Sequence, residues 1–232
     1  MKQKNQLLKT LAIAAVAVVI SGSAMAQVEI GIRAGANFSN ATIKDANGKK
    51  VDTKINPGWH AGVTFDIPVA DEFYVQPGAL FSTKGYKITS DNSDATYKET
   101  PSYIEVPINF LYKPELGSGK LLLGVGPYVA YGLGGKWKAD ASGSFGPIDV
   151  NGKADGSLKF KNDIKPGDND AVYGKPFDFG GNLLFGYEFA NKLSVQLNGQ
   201  LGLVNLMPKY DGQKQDGTIK NSQFGISVGY KF

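Results

Sequence analysis

An all-β fold, closed as an eight-stranded antiparallel transmembrane barrel, is predicted by three observations on this chain. They are the residue alternation near its end, the alternating lengths of the stretches between its strands, and the lack of a helix-length apolar run beyond residue 26. The alternation is plainest at the end. Stepping back by two from Phe232 gives Tyr230, Val228, Ile226 and Phe224, with Gln223, Gly225, Ser227, Gly229 and Lys231 between them. Bulky apolar residues on one strand face and small or polar ones on the other suit lipid outside and a polar lumen inside. Without a spanning helix, insertion must use strands, since only a closed ladder pairs every backbone group in hydrocarbon.

At the other end, Lys2, Lys4 and Lys9 precede the apolar run Leu11 to Ile20, and Ser21-Gly22-Ser23-Ala24-Met25-Ala26 offers a small-residue cleavage site. Residues 1–26 are therefore read as a cleaved signal peptide and residues 27–232 as the barrel domain. The apolar core is too short for the alternative of a membrane anchor, being about half of the ~20 residues a spanning helix needs. The leader holds three of the 25 basic residues and none of the 21 acidic ones, so the remainder, 22 against 21, is near +1 rather than +4. A single arginine, Arg33, argues against a phosphate-reading nucleic-acid surface. Zero cysteines exclude disulfides, leaving the ladder and packing to hold the fold.

Eight alternating segments follow in order. Val28 to Phe38 sets Val28, Ile30, Ile32, Ala34, Ala36 and Phe38 against Glu29, Gly31, Arg33, Gly35 and Asn37. Gly58 to Val69 sets Trp59, Ala61, Val63, Phe65 and Ile67 against His60, Gly62, Thr64 and Asp66. Phe73 to Ile88 turns Phe73, Val75, Pro77, Ala79 and Phe81 outward, opposite Tyr74, Gln76, Gly78, Ser82 and Lys84. Tyr103 to Lys113 sets Ile104, Val106, Ile108, Phe110 and Tyr112 against Glu105 and Asn109. Lys120 to Gly135 sets Leu121, Leu123, Val125, Val129, Tyr131 and Leu133 against a glycine-rich face. Phe177 to Phe189, Leu193 to Leu206 and the C-terminal strand complete the set. At ~3.3 Å per residue and ~40° tilt, roughly ten residues cover the ~25 Å apolar band of an outer membrane.

The stretches between segments alternate in length. Ala70-Asp71-Glu72, Pro114 to Gly119 and Ala190-Asn191-Lys192 are short, whereas Ser39 to Pro57, Thr89 to Ser102, Lys136 to Pro176 and Met207 to Ser222 are long. Short periplasmic turns and long extracellular loops give an outer-membrane barrel this pattern, and a soluble meander has no reason to adopt it. Asn47-Gly48 and Asn151-Gly152 are type I′ hairpin signals, so some strand pairs are expected to continue past the bilayer. Pro77, Pro107 and Pro127 fall inside strands and lack the N–H a ladder needs, which predicts bulges or local breaks.

Four motifs in register with these strands carry a family resemblance. Tyr103-Ile104-Glu105-Val106-Pro107-Ile108 resembles the aromatic-aliphatic-Glu-aliphatic-Pro pattern of the Bacteroidota outer-membrane β-barrel family, the porin-family or PorT-like proteins. Gln76-Pro77 with Lys84-Gly85 is similar to that family's third strand, Phe177-Asp178-Phe179-Gly180 to its sixth, and Gly202-Leu203-Val204-Asn205-Leu206 to its seventh. The resemblance implies a barrel in the outer membrane, with lipid around it. The terminal aromatic Phe232 likewise resembles the signal that such barrels present to the barrel assembly machinery. The third long loop, about 40 residues, departs from compact members.

Chemistry is sought on the inner face. Arg33, Lys84 and Lys231 share it with Glu29, Asp66, Glu105, Asp178 and Glu188, in a lumen that eight strands leave barely wide enough for side chains. Charges taken out of water must be paired, so these residues are read first as a structural polar network, with Lys84 and Glu105 as its first pair, and second as a charged constriction. His60, the single histidine, is read as a polar lumen or rim residue, because Asp66 lies six residues down the same strand, roughly 20 Å away, too far to orient a catalytic base. Asp163, Asp168 and Asp170 match no calcium-loop spacing and read as a solvated loop. Gly124, Gly126 and Gly132 precede no helix and are not a phosphate loop. Trp59, Tyr112, Tyr131, Tyr187, Tyr230 and Phe232 read as interfacial girdles. No cofactor, metal, nucleic acid or enzymatic activity is implied, and no extracellular partner is identified. The functions in view are a structural or loop-mediated role, a narrow passive channel, and, with the faces inverted, a soluble lipocalin-like carrier.

Overall fold

The computed structural model describes residues 28–89, 95–145 and 148–232, and the expected signal peptide, residues 1–26, lies outside them. Eight long strands carry the architecture: β1 (Glu29–Lys44), β2 (Lys54–Ala70), β3 (Phe73–Thr83), β4 (Thr96–Tyr112), β5 (Gly119–Phe145), β6 (Phe177–Glu188), β7 (Leu193–Gly202) and β8 (Thr218–Lys231). Among the described residues each pairs antiparallel with the next, and β8 pairs back onto β1 from Gly31↔Lys231 to Lys44↔Thr218. The ladder thus closes into a ring without a free edge, the condition for holding backbone polar groups in hydrocarbon.

The period-two alternation sorts the two faces. Leu183 and Leu201 are 63% and 66% exposed on the outer wall, and Ile32, Val125, Phe185 and Val228 stand beside them, while Arg33, Asn37, Asp66, Glu105, Asn182 and Gln200 are buried within. This arrangement excludes the inverted, lipocalin-like barrel, whose Val, Ile and Phe rows would point inward. Trp59, Tyr131, Tyr230 and Phe232 are exposed on the same outer wall. The inner face is less uniformly polar than the alternation suggests: Leu111, Leu122 and Leu184 form a buried apolar cluster inside the ring, with Tyr74 packed against it.

The long connections contain more strand than the sequence indicates. β1 runs to Lys44, β4 begins at Thr96, β8 begins at Thr218, and β5 continues to Phe145 to pair with a further strand, Ile148–Phe160. β7 ends at Gly202 rather than Leu206. The third segment, expected to run unbroken to Ile88, stops at Thr83 and resumes as Tyr86–Thr89. Gly85 makes that break with φ 126°, and a side chain there would meet the Glu99 carbonyl oxygen at 2.0 Å.

Neither Asn-Gly pair forms a type I′ turn. At the first, Gly48 alone has positive φ (78°), and Asp45 Oδ1 accepts from the Asn47 and Lys49 amides, which organises a different turn around Asp45. The second lies within the Ile148–Phe160 strand, opposite Ser142 and Ala141, in a ladder that runs on to the pair Phe145↔Ile148. Pro77, Pro107 and Pro127 produce ladder breaks without bulges. β2–β3 pairing passes from Thr64↔Gly78 to Ile67↔Val75, β3–β4 from Leu80↔Glu105 to Pro77↔Ile108, and β4–β5 from Pro107↔Tyr128 to Phe110↔Val125, each resuming in register.

Candidate functional site

Two charge clusters occupy the lumen. At the end with the short connections, Lys113 Nζ lies 3.2 Å from Glu29 Oε2, 3.1 Å from Asp66 Oδ2 and 3.1 Å from Glu188 Oε2. Lys231 contacts the second Asp66 oxygen, and Lys113 also sits 4.8 Å above the Tyr74 ring. Strand ends bring these groups together, since Glu29 opens β1, Glu188 closes β6 and Lys231 closes β8. Three carboxylates so close require the two ammonium groups between them. Lys113 is the residue that sequence reasoning did not count, although it shares the inward parity of Glu105 and Asn109 and lies one step past the end of β4.

Toward the long-loop end, Lys84 Nζ lies 2.9 Å from Glu105 Oε2 and 3.8 Å from Asp178 Oδ2, all three residues being 1% exposed or less. The ammonium also stands 4.2 Å from the centre of the Tyr128 ring. Asp178 accepts from the Asn221 amide at 2.8 Å and from the Tyr128 hydroxyl at 3.3 Å, and Glu105 accepts from Gln200. Lys84 therefore divides its charge between two carboxylates, each of which also accepts from neutral donors, while Asp178 Oδ1 stays buried without a hydrogen-bond partner among the described residues. Arg33 joins neither cluster and donates instead to Gln196 Oε1 at 3.4 Å. Side-chain amides run inward from the lower cluster: Gln76 donates to Asp66, Asn109 to Gln76, and Asn182 to Asn109. The seven sequence-derived residues thus separate into Lys84, Glu105 and Asp178, then Asp66, Glu188 and Lys231, with Arg33 apart.

The mouth above the upper cluster is closed by the third long loop. After Phe160 the chain doubles back, and Ala171–Gly174 pairs parallel with Leu158–Phe160. Tyr173 is buried and its hydroxyl donates to Asn221 Oδ1, which ties the loop to the Asp178 network. The Phe160 ring packs edge-on against Tyr103 at 5.2 Å and Tyr173 at 5.8 Å. It covers Gly132, where an added Cβ would meet the ring at 2.4 Å, so this glycine is a docking surface for Phe160. Ala41, Tyr86, Leu158 and Leu206 complete a buried apolar cluster with Tyr173.

The carboxylates of that loop serve its own closure. Lys161 Nζ lies 2.9 Å from Asp168 and 2.8 Å from Asp170, and Lys165 lies 2.9 Å from Asp163. Hydrogen bonds from Lys161 to Asp168 and from Lys159 and Lys161 to Asp170 hold both carboxyls below the usual carboxylate range. Among the described residues no group of three or more His, Cys, Asp or Glu side chains is arranged to hold a metal ion. His60 is 3% exposed, and its Nδ1 shares a 2.7 Å hydrogen bond with Asn37 Oδ1, an amide rather than an orienting carboxylate.

Comparison with known proteins places this geometry. Residues 21–207 match the outer membrane protein β-barrel domain. Among solved structures, Ail, the attachment invasion locus protein of Yersinia pestis, in complex with the heparin analogue sucrose octasulfate, is 14% identical with a TM-score of 0.39, covering 88% of this chain and 99% of its own. Neisserial surface protein A is 12% identical with a TM-score of 0.39, covering 88% and 97%. The outer membrane enzyme PagL is 11% identical with a TM-score of 0.29, covering 84% and 98%. No curated protein matches the sequence. At such identities and scores nothing about activity passes from these neighbours to this chain.

Proposed function

The chain belongs to the outer membrane protein β-barrel domain family, and from that premise we propose that it is a closed, non-enzymatic barrel with a structural or loop-mediated role. It resides in the outer membrane, with lipid against its apolar wall. Eight strands span the bilayer, the short connections face the periplasm and the long loops face outward. Residues 1–26 are removed on export, and the strand ending at Phe232 is presented to the barrel assembly machinery. Within the family we place the chain among the Bacteroidota porin-family or PorT-like members, on the strength of the Tyr103-Ile104-Glu105-Val106-Pro107-Ile108 run and its three companions.

The observation that carries closure is the Lys84–Glu105–Asp178 cluster, fully buried beneath Phe160 and Tyr173. An ion path through the ring must separate that pair and lift that lid, and the Leu111, Leu122 and Leu184 layer adds an apolar stretch below. The test is planar-bilayer conductance of the refolded residues 27–232, with a heat-modifiable gel shift to show that the barrel has formed. A folded, silent protein supports a closed barrel, and discrete conductance steps would replace it with the narrow passive channel.

A further inference from the structure

Outside the ring, just beyond the apolar band at the long-loop end, lysines stand directly opposite one another. Lys87 faces Lys98 across the Tyr86–Thr89 ladder, Lys98 faces Lys138 across β4–β5, and Lys136 faces Thr100 two residues nearer the membrane. Facing side chains in a sheet have Cβ atoms about 5 Å apart, and like charges so placed repel. The salt bridges among the described loop residues use other lysines, namely Lys153, Lys159, Lys161 and Lys165. Asp155 faces Lys138 from its other side, so the row of lysines is only partly countered and stays net positive.

These lysines line a groove. Lys98, Lys136 and Lys138 form one side with Ser102, while Trp59 and Phe81, with ring centres 5.0 Å apart, form its membrane-proximal edge. The Thr100 hydroxyl, in the same groove, accepts from the Asn56 amide at 3.0 Å and keeps its own proton to donate. Three cations and two hydroxyls thus sit immediately above an aromatic step on a lipid-facing wall.

We propose that this groove binds the phosphorylated headgroup of a lipid in the surrounding leaflet. Phosphate oxygens lie on Lys98, Lys136 and Lys138 with donors from Thr100 and Ser102, and an acyl chain lies along Trp59 and Phe81. Charge complementarity and position select this occupant. A cationic groove touching the apolar belt fits an amphiphile with its anion at the interface, whereas a soluble anion gains nothing from the aromatic edge. The outward direction of this leaflet rests on the orientation proposed above.

The test uses residues 27–232 refolded in detergent, where orientation plays no part, and native mass spectrometry to read lipid retained by the folded barrel. The probes are a phosphorylated glycolipid, the same lipid with its phosphates removed, and inorganic phosphate as competitor. The variant is K98Q/K136Q/K138Q. Each lysine near an anionic surface contributes about fivefold in binding, so the variant should hold the phosphorylated lipid about a hundredfold less tightly, and removing the phosphates should weaken retention comparably. Because the substitutions relieve repulsion, the variant should unfold at the same or higher urea concentration than the parent when lipid is absent. Equal retention by parent and variant, or equal retention of both lipids, would overturn the site. Displacement of the lipid by millimolar inorganic phosphate alone would reassign it to a free anion and overturn the lipid reading. Labelling of a Ser157→Cys variant on intact cells reports the orientation separately.

Discussion

Lys113 decides the fate of three carboxylates. Its ammonium lies within 3.2 Å of Glu29, Asp66 and Glu188, and Lys231 alone cannot neutralise all three. Lys113→Ala should lower stability by about 3–5 kcal/mol, the cost of leaving buried charge uncompensated, read as an earlier urea midpoint for loss of the heat-modifiable form. An unchanged midpoint would show that the lower cluster is hydrated and weak. Lys84 and Glu105 behave differently as a pair than singly. Lys84→Met and Glu105→Leu should each destabilise the barrel, while the double variant should recover part of the loss, because it leaves neither charge of that pair unpaired, although Asp178 then rests on Asn221 and Tyr128 and Gln200 loses its acceptor. Strict additivity in that cycle would mean the 2.9 Å contact carries no coupling. Inward parity was legible in the sequence for Arg33, Asp66, Glu105 and Asp178. Which of them meet was less so, because contacts across the lumen follow from strand tilt and stagger, quantities that alternation does not encode.

At the scale of elements, the third loop is a lid as much as a display surface. Gly132→Ala places a methyl where the Phe160 ring now rests, so the variant should keep its gel shift while Lys161 and Lys165 become cleavable by trypsin sooner than in the parent. Unaltered cleavage would show that Phe160 does not hold the loop down. The lid also has a defined acid response. The Asp168 and Asp170 carboxyls are held below their ordinary range by Lys161 and Lys159, so their contribution is present above the unfolded carboxylate pKa and is lost as pH falls through the lowered folded value. Protection of the amides across residues 158–174, taken against the intrinsic exchange rate at each pH, should hold from neutrality down to about pH 4, the ordinary carboxylate value, so that exchange quickens relative to the intrinsic rate only below it. Quickening already near pH 6 would contradict this assignment. These elements were the least legible part of the sequence. Asn151-Gly152 reads as a turn by local propensity, yet pairing with Ala141 and Ser142 draws it into a strand, and the parallel return of Ala171–Gly174 leaves no periodic trace.

For the whole molecule, the ring and the lid are separable. Each of the eight strands is held by neighbours on both sides without help from residues 161–172, so deleting those residues should leave the gel shift intact. The ring itself was legible because a closed wall between lipid and a narrow interior demands the same period-two pattern eight times, and Leu183, Leu201 and Val228 outside against Asn182, Gln200 and Ser227 inside meet that demand. Pro77, Pro107 and Pro127 were legible as faults in the ladder, and there the pairing resumes in register, whereas it shifts by one residue at Pro68 and just past Pro101. Closure of the lumen is tested most directly by thiol access in this cysteine-free chain. A Ser227→Cys variant, at a position 1% exposed inside the ring, is treated with a small charged thiol reagent beside a Ser157→Cys variant on the exposed outer wall. Rapid modification at 157, with none at 227 in the folded barrel and full modification of 227 once the barrel is unfolded, is the result a plugged lumen requires. Equally rapid modification of both in the intact protein would show an open, water-filled lumen.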